Sequence, residues 1–121
     1  MKMKTLNEIA DAVHANAVAR GFHPADEPLD LFIANQVANL HGEVIELWDA
    51  HRAGKSNDMC DNGNVMNMLG LTPLTNREEE YADIIIRALD QCRRLDVDIQ
   101  RAIEVKHAYN LTRPFKHEKR N

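Results

Sequence analysis

Apolar residues return along this chain at helical intervals. Leu6, Ile9, Val13 and Ala17 recur every three or four positions, which places them on one side of an α-helix. Thr5 offers a side-chain oxygen to the first free amides, and Gly21 can end the helix. Phe22 to Pro28 is rich in helix breakers and reads as a turn. A second helix is expected from about Pro28 to about Arg52, with Gly54 as its stop. Thr75-Asn76-Arg77-Glu78 has the spacing of a capping box and opens a third long helix to about Leu95. Asp98 caps a fourth, ending near Asn110. Residues 55–74 mix Gly, Asn, Asp, Ser and Pro with a short apolar piece, Val65, Met66, Met68 and Leu69. They read as a long loop with room for one helical turn. No strand alternation and no internal repeat stands out. The pattern predicts one all-α domain over residues 1–121, built on four main helices, with a loop insertion at 55–74 and a basic tail at 111–121.

The third helix carries Ala82, Ile84, Ile85 and Ile86 and is apolar nearly all round, so it should be buried on more than one side. Four helices give it little cover, so a homodimer or larger assembly is expected. Asp83 sits inside this apolar run. A buried, unpaired carboxylate costs several kcal/mol or shifts its pKa strongly, so Asp83 needs a metal, a basic side chain or water. Its stripe continues as Glu80, Asp83, Arg87 and Asp90. The second helix repeats the arrangement: Gln36, Asn39, Glu43 and Glu46 form a polar stripe flanked by Val37, Leu40, Val44, Ile45, Leu47 and Trp48. Two such stripes suggest an internal polar cleft. Glu43 with Glu46, and Glu80 with Asp83, are each spaced i, i+3 and so share a helix face. Turned toward each other, the four carboxylates form an oxygen-rich site for a hard divalent cation. A solvated helix face is the plainer reading of either pair alone. The apolar setting of both pairs strengthens the case for the cleft without displacing that plainer reading.

Composition narrows the field. The chain has 121 residues, enough for one domain with a core, and 44% of them are apolar, which argues against disorder. A net charge of −4 disfavours binding to a nucleic-acid polymer. No apolar run approaches the roughly 18 residues of a membrane span. The segment Met1 to Thr5 lacks the apolar core of a signal peptide. Cys60 and Cys92 form no CxxC motif and read as free thiols of a reducing compartment, with the cytoplasm as the expected location.

A cationic set complements the acidic one. Lys106, Asn110 and Arg113 fall at i, i+4 and i+7, on one face at the end of the fourth helix, and Lys116 and His117 follow. Carboxylate-bound Mg²⁺ keeps waters and takes substrate phosphates as further ligands. Cationic side chains then neutralise the remaining phosphate charge. Together the two sets have the chemistry of a metal–polyphosphate complex. Lys119 and Arg120 read as a solvated tail. Asn35, Gln36 and Asn39 are candidates to read a base edge, since amides both donate and accept; helix polarity or dimer contacts explain them equally well. His41 is a further pocket candidate against ordinary helix packing, and Trp48 reads as core rather than as a stacking partner. Cys60 lacks ligand spacing for zinc. Glu104-Val105-Lys106-His107 matches the Glu-x-x-His spacing of di-iron bundles, but that scaffold needs the motif twice and this chain has it once. A di-iron carboxylate protein therefore ranks low among the alternatives. A non-catalytic helical dimer that binds nucleotides or a protein partner is the other.

These residues together resemble the MazG-like branch of the all-α nucleoside triphosphate pyrophosphatases. The resemblance rests on His41-Gly-Glu-Val-Ile-Glu-Leu47, Glu79-Glu-Tyr-Ala-Asp-Ile-Ile-Ile86, Asp96-Val-Asp-Ile99, and Lys106 through Asn110 to Arg113-Pro-Phe-Lys-His117. Ala15 to Phe22 adds an N-terminal match, and only the 55–74 loop departs. The resemblance implies a four-helix MazG-like bundle, with its site between the second and third long helices and completed by oligomerisation. It implies an Mg²⁺-dependent hydrolase, with Mn²⁺ as a substitute, that cleaves nucleoside triphosphates to monophosphate and pyrophosphate. Glu43, Glu46, Glu80 and Asp83 would be the metal ligands, with Glu43 or Glu46 helping to orient or deprotonate water. Lys106, Asn110, Arg113 and Lys116 would bind phosphate. A homodimer or homotetramer is the implied assembly.

Overall fold

A computed structural model describes residues 5–115; Lys116 and His117 lie outside the described residues. Five helices follow one another: α1 (Leu6–Ala19), α2 (Leu29–Arg52), α3 (Gly63–Met68), α4 (Asn76–Arg94) and α5 (Ile99–Leu111). The four expected long helices are present, and the short apolar piece of the 55–74 loop forms α3. Local chemistry sets the boundaries. Thr5 Oγ1 accepts from the Glu8 amide at the start of α1. Thr75 and Glu78 form the reciprocal capping box of α4, and the Asp98 carboxylate accepts from the Arg101 amide on α5. After α1 and α2, Gly21 and Gly54 take the left-handed conformation (φ 84° and 70°) that favours glycine.

α4 is the centre of the molecule, and α1 and α2 both pack along it. α5 packs on α1, and its contact with α2 and α4 is slight at most. α1, α2 and α4 form the core, with α5 laid against α1. The start of α5 is fixed to the start of α1: Asn7 Nδ2 donates to Asp98 Oδ1 at 3.0 Å, and the Leu6 amide donates to Gln100 Oε1 at 3.1 Å. The Asn7 bond, with the Arg101 amide after it, holds the Asp98 carboxyl below its ordinary range.

Ala10, Phe32, Cys60 and Leu89 are the buried hydrophobic residues among those described, Phe32 and Cys60 completely so. Ala10 has no bulk to keep α1 away from α4. Phe32 lies under the His23 ring at 5.2 Å and the Arg94 guanidinium at 5.0 Å. Burying a side chain of this size contributes about 2 kcal/mol. The expected burial of the third long helix on several sides is not met within one chain, where Ile85 and Ile86 are exposed.

The 55–74 segment is tied down rather than loose. The amides of Cys60, Asn76 and Arg77 donate to the carbonyls of Leu74, Asp58 and Ser56 at 2.8–3.0 Å. Asn76 Nδ2 also donates to the Lys55 carbonyl. Both cysteines are free thiols; Cys60 is buried, and burial pushes the Cys92 thiol upward. No helix among the described residues is long and apolar enough to cross a membrane.

Candidate metal site between α2 and α4

α2 and α4 run antiparallel. Gln91 Nε2 donates to the Gln36 carbonyl at 3.1 Å, and Arg87 Nε donates to Glu43 Oε1 at 3.0 Å. This register sets Glu46 opposite Glu80. Glu43, Glu46 and Glu80 each bring a carboxylate oxygen within 4.8 Å of the other two. Asp83, half-buried one turn along α4, adds its charge to the same group.

The electrostatics carry the mark of crowded negative charge. Burial, followed by Glu46, Asp83, Glu43 and Glu79, pushes the Glu80 carboxyl up to about 7. Burial, Glu43 and Glu79 push Asp83 up to about 6, although Arg87 pulls the other way. One arginine does not neutralise the cluster. Glu43 Oε2 and Glu80 Oε2 are both buried and accept no hydrogen bond among the described residues. Buried carboxylate oxygens without a donor are uncommon and call for one. A hard cation would satisfy them in its place. Opposite ligands on one Mg²⁺ stand about 4.2 Å apart, so small side-chain adjustments would bring these oxygens onto a single ion. The donor set, all carboxylate oxygen, fits Mg²⁺ or Mn²⁺ and lacks the sulfur or imidazole that softer metals prefer.

Two contributors were not legible as site residues. Arg87 anchors Glu43 and leaves Glu46 without a hydrogen bond or ion pair among the described residues. Glu79 lies beside the cluster and accepts from Asn62 Nδ2 at 3.1 Å, which ties the 55–74 segment to the site. The adjacent acids in Glu79-Glu80 were the only sequence signal for it.

The cationic set stands apart. Lys106 Nζ and Arg113 Cζ flank the Tyr109 ring at 4.9 and 5.7 Å, and Asn110 Oδ1 is buried without a donor among the described residues. α5 packs on α1 and has little contact with α2 or α4, so the described residues of one chain do not close this set over the carboxylates. The candidate base readers also disperse. Asn35 donates to Glu27 Oε2 at the start of α2. Gln36 lends only its carbonyl, to Gln91. Asn39 and His41 are exposed, and helical spacing turns His41 to the side away from Glu43 and Glu46. Trp48 is not in the core: it is 53% exposed and lines a cavity with His51, Ser56, Arg77 and Tyr81. Glu104 and His107 lie exposed on α5, outside any bundle interior.

A second group, His14, His23 and Asp90, also brings potential ligand atoms together. His14 Nδ1 lies 2.8 Å from Asp90 Oδ1, and His23 Nε2 lies 2.9 Å from both Asp90 oxygens. Here the buried carboxylate is already satisfied by ring N–H donors. The outer nitrogen of His23, Nδ1, is buried with no hydrogen-bond partner among the described residues, so nothing holds the ring in the tautomer that metal ligation through Nε2 requires. The arrangement therefore reads as a hydrogen-bonded clasp of α1 and the α1–α2 turn onto α4, and Asp90 leaves the acidic stripe. No family model, curated protein or solved structure matches the chain.

Proposed function

We propose that this chain is an Mg²⁺-dependent nucleoside triphosphate pyrophosphohydrolase similar to the MazG-like enzymes. It would cleave (d)NTP to (d)NMP and pyrophosphate in nucleotide pool control or housecleaning. The observation that carries the reading is the convergence of Glu43, Glu46 and Glu80, with two buried oxygens lacking donors and Asp83 adding charge.

Glu43, Glu46, Glu80 and Asp83 would hold the ion. When bound, Mg²⁺ supplies positive charge against the phosphate oxygens and eases ionisation of an attached water. Arg87 keeps Glu43 in place through its 3.0 Å bond. Glu46 has no such partner among the described residues and would be the carboxylate to take a proton from the attacking water. Water adds across the α–β anhydride and the P–O bond to the leaving pyrophosphate breaks. The products are a monophosphate and pyrophosphate, and Glu46 returns its proton to solvent.

Lys106, Asn110 and Arg113 have the chemistry to bind phosphate, yet α5 lies outside the core of its own chain. We infer that a second copy brings its α5 to these carboxylates, in a homodimer or a pair of dimers. The apolar residues that α4 and α5 leave open, Ile85, Ile86, Ile103 and Tyr109, support such an assembly.

The test is a panel of ordinary and modified (deoxy)nucleoside triphosphates with Mg²⁺ or Mn²⁺, with pyrophosphate and orthophosphate measured separately. Pyrophosphate release, lost in Glu80→Gln, is the expected result. Orthophosphate alone would indicate a different phosphatase. Absence of both products would leave a nucleotide-binding module.

A further inference from the structure

Where the end of α2 meets the start of α4, beside the carboxylates, lies a cavity of about 370 Å³. Small-molecule sites occupy roughly 300–1,000 Å³. Val44 and Leu47 give it an apolar floor. Trp48 and Tyr81 stand at its wall, 53% and 52% exposed, so both aromatic faces have area to offer. The Trp48 and His51 rings are 5.5 Å apart with planes tilted by 31°. Among the described residues the Arg77 guanidinium makes one long hydrogen bond, 3.4 Å to Asn57 Oδ1, so most of its five donors have no partner there. The frame is fixed without a ligand: the Arg77 amide donates to the Ser56 carbonyl at 3.0 Å.

Position relates this cavity to the carboxylates. Arg77 precedes Glu80 by three residues, and His51 follows Glu46 by five. At 1.5 Å rise per residue, the cavity runs from beside Glu43, Glu46 and Glu80, whose next residues Val44, Leu47 and Tyr81 line it, to roughly 5–8 Å along the helices, where Arg77 and His51 stand. That is the span a sugar bridges between a base and its phosphates.

We propose that this cavity takes the base of the nucleotide, stacked on Trp48 and Tyr81, and that Arg77 selects bases whose free edge carries acceptors, guanine over adenine. The proposal rests on the triphosphate reading above. Arginine only donates; guanine presents O6 and N7 to it, whereas adenine replaces O6 by an amine that also donates. These residues replace the amides of α2 as the specificity set.

Trp48 is the chain's one tryptophan, so its emission reports on the cavity. The full chain with Mg²⁺ is titrated with α,β-methylene analogues of GTP and ATP and with inorganic tripolyphosphate, by fluorescence and by calorimetry. The GTP analogue is expected to quench Trp48 and to bind about tenfold tighter than the ATP analogue, the discrimination of one bidentate arginine contact. Arg77→Ala should abolish that ratio while leaving tripolyphosphate affinity unchanged. Trp48→Leu, followed by calorimetry, should weaken both analogues about tenfold, the effect of one lost stacking contact. Analogues that bind no tighter than tripolyphosphate, or a guanine preference that survives Arg77→Ala, overturn the cavity assignment and leave the phosphate site standing. Quenching by the analogues without any tripolyphosphate binding keeps the cavity and removes the carboxylate reading. Failure of all three ligands to bind removes both.

Discussion

Glu80 shows how a single side chain links stability to binding. Its carboxyl ionises near pH 7 in the folded chain, against an ordinary 4.5, because burial and four neighbouring carboxylates oppose its charge. Between those values the folded chain keeps a proton that the unfolded chain has lost. By linkage, its contribution to stability is present below about pH 4.5 and is lost as pH rises through about 7. Asp83 acts in the same direction between 3.8 and about 6. In EDTA, the wild-type Tm should therefore fall from pH 5 to pH 8 more steeply than that of Glu80→Gln. Mg²⁺ should raise the wild-type Tm more at pH 8 than at pH 5. Parallel pH profiles for the two proteins by calorimetry would contradict this account of the site. Asp90 behaves differently because imidazole donors hold it. Asp90→Ala strips both histidines of their acceptor and should destabilise the fold by about 3 kcal/mol in urea unfolding, the scale of breaking a buried charged contact. Sequence spacing brought out Asp83's need for company and the i, i+3 pairs. The partners at 76 and 67 residues' separation in the His14–Asp90 and His23–Asp90 contacts were illegible, because no local pattern encodes them.

At the scale of elements, the helices were legible where local chemistry makes them. Thr75 and Glu78 satisfy each other's amides at 3.2 and 2.9 Å, and this box starts the helix that carries Glu80 and Asp83. Thr75→Ala should cost about 1 kcal/mol in unfolding free energy and fray the first turn of α4. Because that turn holds Arg77, weaker binding of the GTP analogue should accompany the loss, detectable by calorimetry. The 55–74 segment was legible only in composition. Its order comes from amides of Cys60, Asn76 and Arg77 finding carbonyls across the loop, and a list of turn-forming residues does not specify such pairs. Trp48 was misread for a related reason. An apolar flank on a helix predicts contact with something apolar, but it does not distinguish a core from an open cavity wall.

At the scale of the molecule, α4 leaves Ile85 and Ile86 exposed and α5 leaves Ile103 and Tyr109 exposed, the surface that a second copy would cover. If α5 of one copy serves the carboxylates of another, Glu80→Gln and Arg113→Ala lie on different chains of each working site. Each variant alone should be inactive or nearly so. In a two-fold dimer reassembled from an equal mixture, half the molecules are heterodimers, and each heterodimer regains one intact site out of two. Mixing should then restore about a quarter of wild-type pyrophosphate release. If each site is built within one chain, both sites of every heterodimer carry one lesion and mixing restores nothing. Light scattering on the same samples fixes the stoichiometry. A monomer with full activity would remove the shared site and require α5 to fold onto its own carboxylates.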